Sequence, residues 1–186
     1  MSSRITALDP SQAAGKNAEL FAAVKSKLGV VPNLMRTLGN SPAALEAYLG
    51  FSGALAHGVL SAKVREQLAL AIGEANACDY CLSAHSLLGK GAGLSPEAIT
   101  DARRVHAEDP KTDALLKFAA AVVEARGLVA DDTLAAVRSA GASNAEIIEV
   151  VAHVALNTLT NYTNHVAQTV IDFPKAAALP APVSRS

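Results

Sequence analysis

Cys78, Cys81 and His85 fall within eight positions of a 186-residue chain that has no other cysteine. Two thiols at i and i+3 share one face of a helix, close enough to form a disulfide after modest adjustment. His85 follows Cys81 by one turn on that face. It could accept the thiol proton or, once protonated, hold the thiolate. An unperturbed thiol, with a pKa of about 8.5, is only a few per cent ionised at neutral pH and needs such help. The stretch NACDYC also sits where one helix ends and another starts, and the positive potential of a helix N-terminus favours thiolate. A carboxylate partner must come from the preceding segment. Glu74 is near in sequence; Glu66 lies about two helical turns further away and comes close only if the chain folds back after Ala77.

Other readings of the same residues stand beside this one. Cys-x-x-Cys is half of many zinc sites, but with His85 as a third ligand no fourth is near. Two buried, inert thiols are a further alternative. His57, His106, His153 and His165 read as packing or surface histidines. Asn157, Asn161, Asn164 and His165 form a polar ladder that reads as a hydrogen-bonded seam. Tyr80, between the cysteines, reads as a packing residue.

Helices must position these groups. Apolar residues make up 51% of the chain and aromatics 4%, with no Trp. A core of Ala, Leu and Val suits closely packed helices, so the expected class is all-α, as one domain over 1–186. Asp9-Pro10, Ser41-Pro42, Ser95-Pro96 and Asp109-Pro110 each pair an N-cap with a proline at the first helical position. Ser143 and Glu146 form a capping-box pattern. The expected helices are 10–28, 42–57, 62–76, 79–90, 96–106, 110–126, 131–140, 144–157 and 159–171. Residues 1–10 and 175–186 are expected to be flexible ends. Displaced by 80 positions, Glu66 falls on Glu146 and His85 on His165, which predicts an internal repeat of a helix pair around 62–90 and 144–171.

A formal net charge of -1 without a basic block gives no footprint for nucleic acid or an anionic membrane. The sequence has no signal-like or membrane-spanning apolar run, so a cytoplasmic protein is expected, where paired thiols mean redox chemistry or metal more often than structural disulfides.

The pattern Glu66, eleven residues, Cys78, two residues, Cys81, three residues, His85 resembles the signature of the alkylhydroperoxidase D-like proteins. These belong to the carboxymuconolactone decarboxylase superfamily. The stretches LGVVPNLMRTLGNSPAALEAYLGFSGAL and VVAHVALNTLTNYTNHV resemble, respectively, the family's helical lead-in and the C-terminal half of its peroxidase-related branch. The resemblance implies an all-helical fold, a homo-oligomer (trimer or hexamer), and a thiol peroxidase without cofactor or metal. By resemblance, Cys81 attacks the peroxide, Cys78 donates a proton and then resolves the sulfenic acid, and Glu66 and His85 relay protons. A lipoyl protein or thioredoxin-like dithiol would reopen the disulfide. The sequence departs from the pattern at Tyr80, where the best-characterised branch has a second histidine. The rivals are carboxymuconolactone decarboxylase-like chemistry and a redox switch without turnover.

Overall fold

The computed structural model describes residues 3–179. A short 3-10 turn at Pro10–Gln12 precedes α1 (Lys16–Leu28), α2 (Asn33–Leu38), α3 (Pro42–Leu55), α4 (Ala62–Ala75), α5 (Asp79–Gly91), α6 (Pro96–Arg103), α7 (Pro110–Glu124), α8 (Asp131–Ser139) and α9 (Asn144–Ala167). No strand occurs among the described residues, so the all-α expectation holds.

The caps read from the sequence are present. Ser41, Ser95 and Asp109 accept backbone N–H groups from the first turns of α3, α6 and α7, and Ser61, which the sequence reading did not single out, does the same for α4. At the head of α9, Ser143 and Glu146 close a reciprocal capping box. Each such cap holds about 1 kcal/mol of helix stability.

Helix α4 is the central strut. Leu68, Leu70, Ala71 and Ile72 are wholly buried, and the helix packs against α5, α6, α7 and α9. A second apolar cluster, built on Leu20, Phe21, Leu34, Met35 and Leu45, encloses Cys78, Tyr80 and Cys81. The first three helices thus form a cover over the thiols. Glu149 of α9 ties down the connection from α3 to α4, accepting the N–H groups of Val59 and Leu60 at 2.7 and 3.1 Å. A Cβ at Gly58 would meet that carboxylate, so a larger residue there would have to displace the Glu149 side chain from these bonds.

Three expectations are corrected. The first helix begins at Lys16 rather than 10, since Gly15, at φ 54°, turns the chain before it. Residues 33–38, left outside the expected helices, are helical. Most consequential, the repeat of a helix pair is not seen. Residues 62–90 fold as two helices, while 144–167 form one uninterrupted helix of 24 residues.

Local chemistry separates the two stretches. After α4, Ala77 takes a left-handed conformation (φ 51°) and Cys78 N–H bonds the Gly73 carbonyl, which ends one helix before Cys78 caps the next. In α9 the polar side chains instead bond back to the helix itself: Asn157 to the carbonyl of His153, Thr160 to that of Asn157. The helix absorbs them and continues.

The ends are tied to the body. Arg4 N–H bonds the Ala167 carbonyl at 2.7 Å, Ala176 N–H bonds Ser83 Oγ, and Arg103 bonds the Ala177 carbonyl. Residues 180–186 of the expected flexible tail lie outside the described residues. Among the described residues, no helix is long and apolar enough to cross a membrane.

Candidate active site

The reversal between α4 and α5 folds the chain back on itself. Glu66, on the first turn-and-a-half of α4, therefore meets His85 on α5, with Oε2 and Nδ1 2.8 Å apart. A carboxylate only accepts, so Nδ1 carries the hydrogen and Nε2 is left to exchange a proton elsewhere. Burial opposes charge on the ring, but the Glu66 charge and hydrogen bond more than offset it, and the His85 pKa is raised. Glu74, the other carboxylate the sequence offered, is taken by Arg103 at 2.7 Å.

Both cysteines are free thiols and buried, with their sulfurs 2.7 Å apart. Cys78 is the N-cap of α5, and its sulfur accepts the N–H of Cys81 at 3.4 Å. The neighbouring thiol and this N–H outweigh burial, with His165 adding a favourable charge, so Cys78 is lowered to about 7. Cys81 is driven the other way, because its partner and its burial both favour the thiol. The pair shares one proton, and Cys81 keeps it. Asn164 of α9 donates to Cys81 Sγ at 3.3 Å.

Tyr80 is fixed rather than reactive. Its hydroxyl donates to Asp172 at 2.8 Å, accepts the Leu34 N–H at 3.0 Å, and its ring packs edge-on against Phe173. Burial and the Asp172 carboxylate raise its pKa, although the Leu34 N–H pulls the other way. It cannot stand in for an imidazole base.

A cavity of about 250 Å³ opens over these groups, lined by Glu66, Cys81, His85, Tyr48 and His153 among others. Of the four site residues expected from the sequence, Glu66, Cys81 and His85 line this cavity, while Cys78, in contact with Cys81, lines a neighbouring cleft. Tyr48 enters from α3 as a neutral phenol, its pKa pushed up to about 12 by burial. His153, read from the sequence as a packing residue, is 4% exposed with Nε2 lacking any partner. Burial and the charge of Arg65 keep its ring neutral. A signal for it existed: His153, Asn157, Asn161 and Asn164 form a polar stripe at helical spacing on an otherwise apolar segment. No group of three or more His, Cys, Asp or Glu side chains suited to a metal occurs among the described residues.

Residues 42–125, from α3 to the end of α7, match the carboxymuconolactone decarboxylase family. The match spans less than half of the chain, and the likeness to solved structures is one of fold. No curated protein matches the chain in sequence. In fold, the chain is similar to an alkylhydroperoxidase D core protein, peroxidase-related, from Ralstonia eutropha JMP134. The two are 24% identical over 92% of this chain and 93% of the other, with a TM-score of 0.83. A peroxidase-related protein from Silicibacter sp. TM1040 is 23% identical over 91% and 93%, with a TM-score of 0.77. The debrominase Bmp8, solved as a cysteine-to-alanine variant with 2,3,4-tribromopyrrole, is 20% identical over 92% and 93%, also at 0.77. Proteins named for different chemistries thus share this fold.

Proposed function

We propose that the protein is a thiol peroxidase that reduces hydrogen or organic hydroperoxides through the Cys78–Cys81 pair. The observation that carries this reading is a cavity shared by Cys81 and the bonded Glu66–His85 pair. It puts a sulfur and a proton donor in one space, where a peroxide needs both.

As hydroperoxide enters, the Cys81 proton passes to the Cys78 thiolate, and Cys81 Sγ attacks the distal oxygen. The O–O bond breaks, and the leaving alkoxide takes a proton from imidazolium His85, giving the alcohol and a sulfenic acid on Cys81. Cys78 then attacks that sulfur, and its proton leaves with the hydroxyl as water. In this order Cys78 first accepts a proton and later resolves, a refinement of the proton-donor role implied by resemblance. An external dithiol, of lipoyl or thioredoxin type, returns the pair to thiols.

Intact-protein mass spectrometry tests this. With about one equivalent of peroxide, the wild type should lose two hydrogens, and Cys78→Ser should trap a sulfenic acid on Cys81. If neither thiol reacts faster than a free cysteine, the peroxidase reading fails. The fold shared with a debrominase makes a bromopyrrole the first substrate to try in that event.

The same proposal includes a homo-oligomer, trimer or hexamer. Helix α9 is apolar on its exposed side, where Ile148, Val151, Leu159, Tyr162 and Val166 form an uncharged stripe at helical spacing. A second copy suits such a face. Sedimentation of Leu159→Glu should show smaller assemblies than wild type; an unchanged mass would remove this face from the interface.

A further inference from the structure

The cysteine pair has a second side. Cys81 faces the cavity with Glu66 and His85, whereas Cys78 lines a separate cleft of about 230 Å³ where α5 begins and α9 ends. Tyr80 borders both spaces, and its bonds to Asp172 and Leu34 make it a fixed partition. The cleft residues Asn164 and Thr169 are 5% and 9% exposed, and Asn164 Oδ1 and Thr169 Oγ1 have no hydrogen-bond partner. Leaving such an atom buried and unpaired costs about 1–3 kcal/mol, so the cleft is equipped for a polar guest. His165 stands at its rim, with Nε2 2.8 Å from the Asn76 carbonyl oxygen. A carbonyl only accepts, so Nε2 carries the hydrogen and Nδ1 is the base of the neutral ring.

We propose that this cleft admits the reductant: a dithiol on a slender, unbranched arm enters beside His165 and attacks Cys78, reopening from one side a disulfide closed from the other. The inference rests on the pair cycling through a disulfide. The cleft's volume equals on the order of seven waters, enough for the end of an alkyl thiol and too little for a folded segment. His165 Nδ1 takes the proton of the first thiol, and the thiolate forms a bond to Cys78 Sγ. The Cys78–Cys81 bond breaks, its electron pair goes to Cys81, and Cys81 takes a proton relayed from solvent through His85. The second thiol loses its proton to solvent and attacks its partner sulfur. Cys78 leaves as thiolate, and the reductant departs as a cyclic disulfide, having given two electrons.

The disulfide is first made with diamide, so the test needs no peroxide. Its reopening by dihydrolipoamide is followed by rapid quenching, alkylation and mass spectrometry. Thr169→Leu, which fills the cleft and removes the hydroxyl, should slow reopening by roughly tenfold or more, and Thr169→Ser should restore it to within about twofold. His165→Leu, at the rim, should slow reopening. Ser52→Leu, which fills the other cavity, should slow closure by peroxide and leave reopening unchanged. The proposal is overturned if Thr169→Leu reopens at the wild-type rate, slows both half-reactions alike, or is matched in reopening by Ser52→Leu. A failure of the peroxidase reading shows separately, as wild-type protein that peroxide does not close.

Discussion

Glu66 and His85 meet across two helices, whereas Glu146 and His165, separated by the same nineteen residues, stand at opposite ends of one. Along α9 that separation is about 28 Å at 1.5 Å per residue. Glu146 is consumed by the capping box and by Lys111 at 2.7 Å; His165 holds the Asn76 carbonyl. The same residue types at the same spacing become a hydrogen-bonded pair in one region and two groups with separate partners in the other. What separates them is three residues of turn, Asn76 to Cys78. Spacing supplies candidates, and a chain reversal makes a site of them.

The largest test of this contrast is catalytic. Glu66→Gln should slow peroxide-driven closure of the disulfide by roughly 10²–10⁴-fold, the span general acid–base groups supply. Glu146→Gln should leave that rate within about twofold. Stopped-flow kinetics on both variants decides it, and equal losses would erase the distinction. In Glu66→Gln the His85 pKa should also fall, because the carboxylate that raises it is gone; histidine NMR titration reads this directly.

A smaller effect lies at the head of α5. With Cys78 at about 7, its alkylation by iodoacetamide should climb about tenfold between pH 6 and 8, following the ionised fraction. Because the folded value lies below the unfolded one, ionisation of Cys78 stabilises the reduced protein above the unfolded pKa. That contribution is lost as pH falls through about 7. Thermal melts of wild type and Cys78→Ser across pH 6–9 should therefore diverge toward high pH. Parallel curves would mean that Cys78 is an ordinary thiol.

These residues also mark how far the sequence could be read. Ser-Pro and Asp-Pro pairs announce helix starts because a cap and its proline act within four residues, so α3, α6 and α7 were legible. The closeness of the four candidates was legible too, since Cys78, Cys81 and His85 share a face by spacing alone, and resemblance singled out Glu66. Whether 62–90 and 144–171 bend or run straight was not. That choice depends on whether Asn76, Asn157 and Thr160 bond across the fold or back to their own helix, which spacing does not encode. His153 was missed for a related reason: its meaning comes from α3 and α4 closing a cavity over it. The polar stripe was visible, but the apolar face opposite it gave no sign which side turns inward. In α9 the polar side is the buried one.

Stability provides the next test. Ser143→Ala breaks the capping box of α9 and should cost about 1 kcal/mol, read by urea denaturation, with peroxide-driven closure unaffected. A loss of closure as well would show that the head of α9 reaches the site.

The smallest effect belongs to the turn itself. Ala77 occupies the left-handed region at φ 51°, which costs an L-residue roughly 1–2 kcal/mol. Glycine adopts that conformation freely but gives back about 0.4–1 kcal/mol through the extra freedom of its unfolded chain. Ala77→Gly should accordingly stabilise the protein by between about 0 and about 1.6 kcal/mol, centred below about 1. Its Cβ-free backbone would also hold the reversal less firmly, so Glu66 and His85 should keep their bond while closure slows slightly. If Ala77→Gly destabilises the fold instead, the turn owes its shape to packing from α9, through Asn161 on Asn76 at 2.8 Å, rather than to its own backbone. The region that escapes pairing would then be the one that shapes the region that pairs.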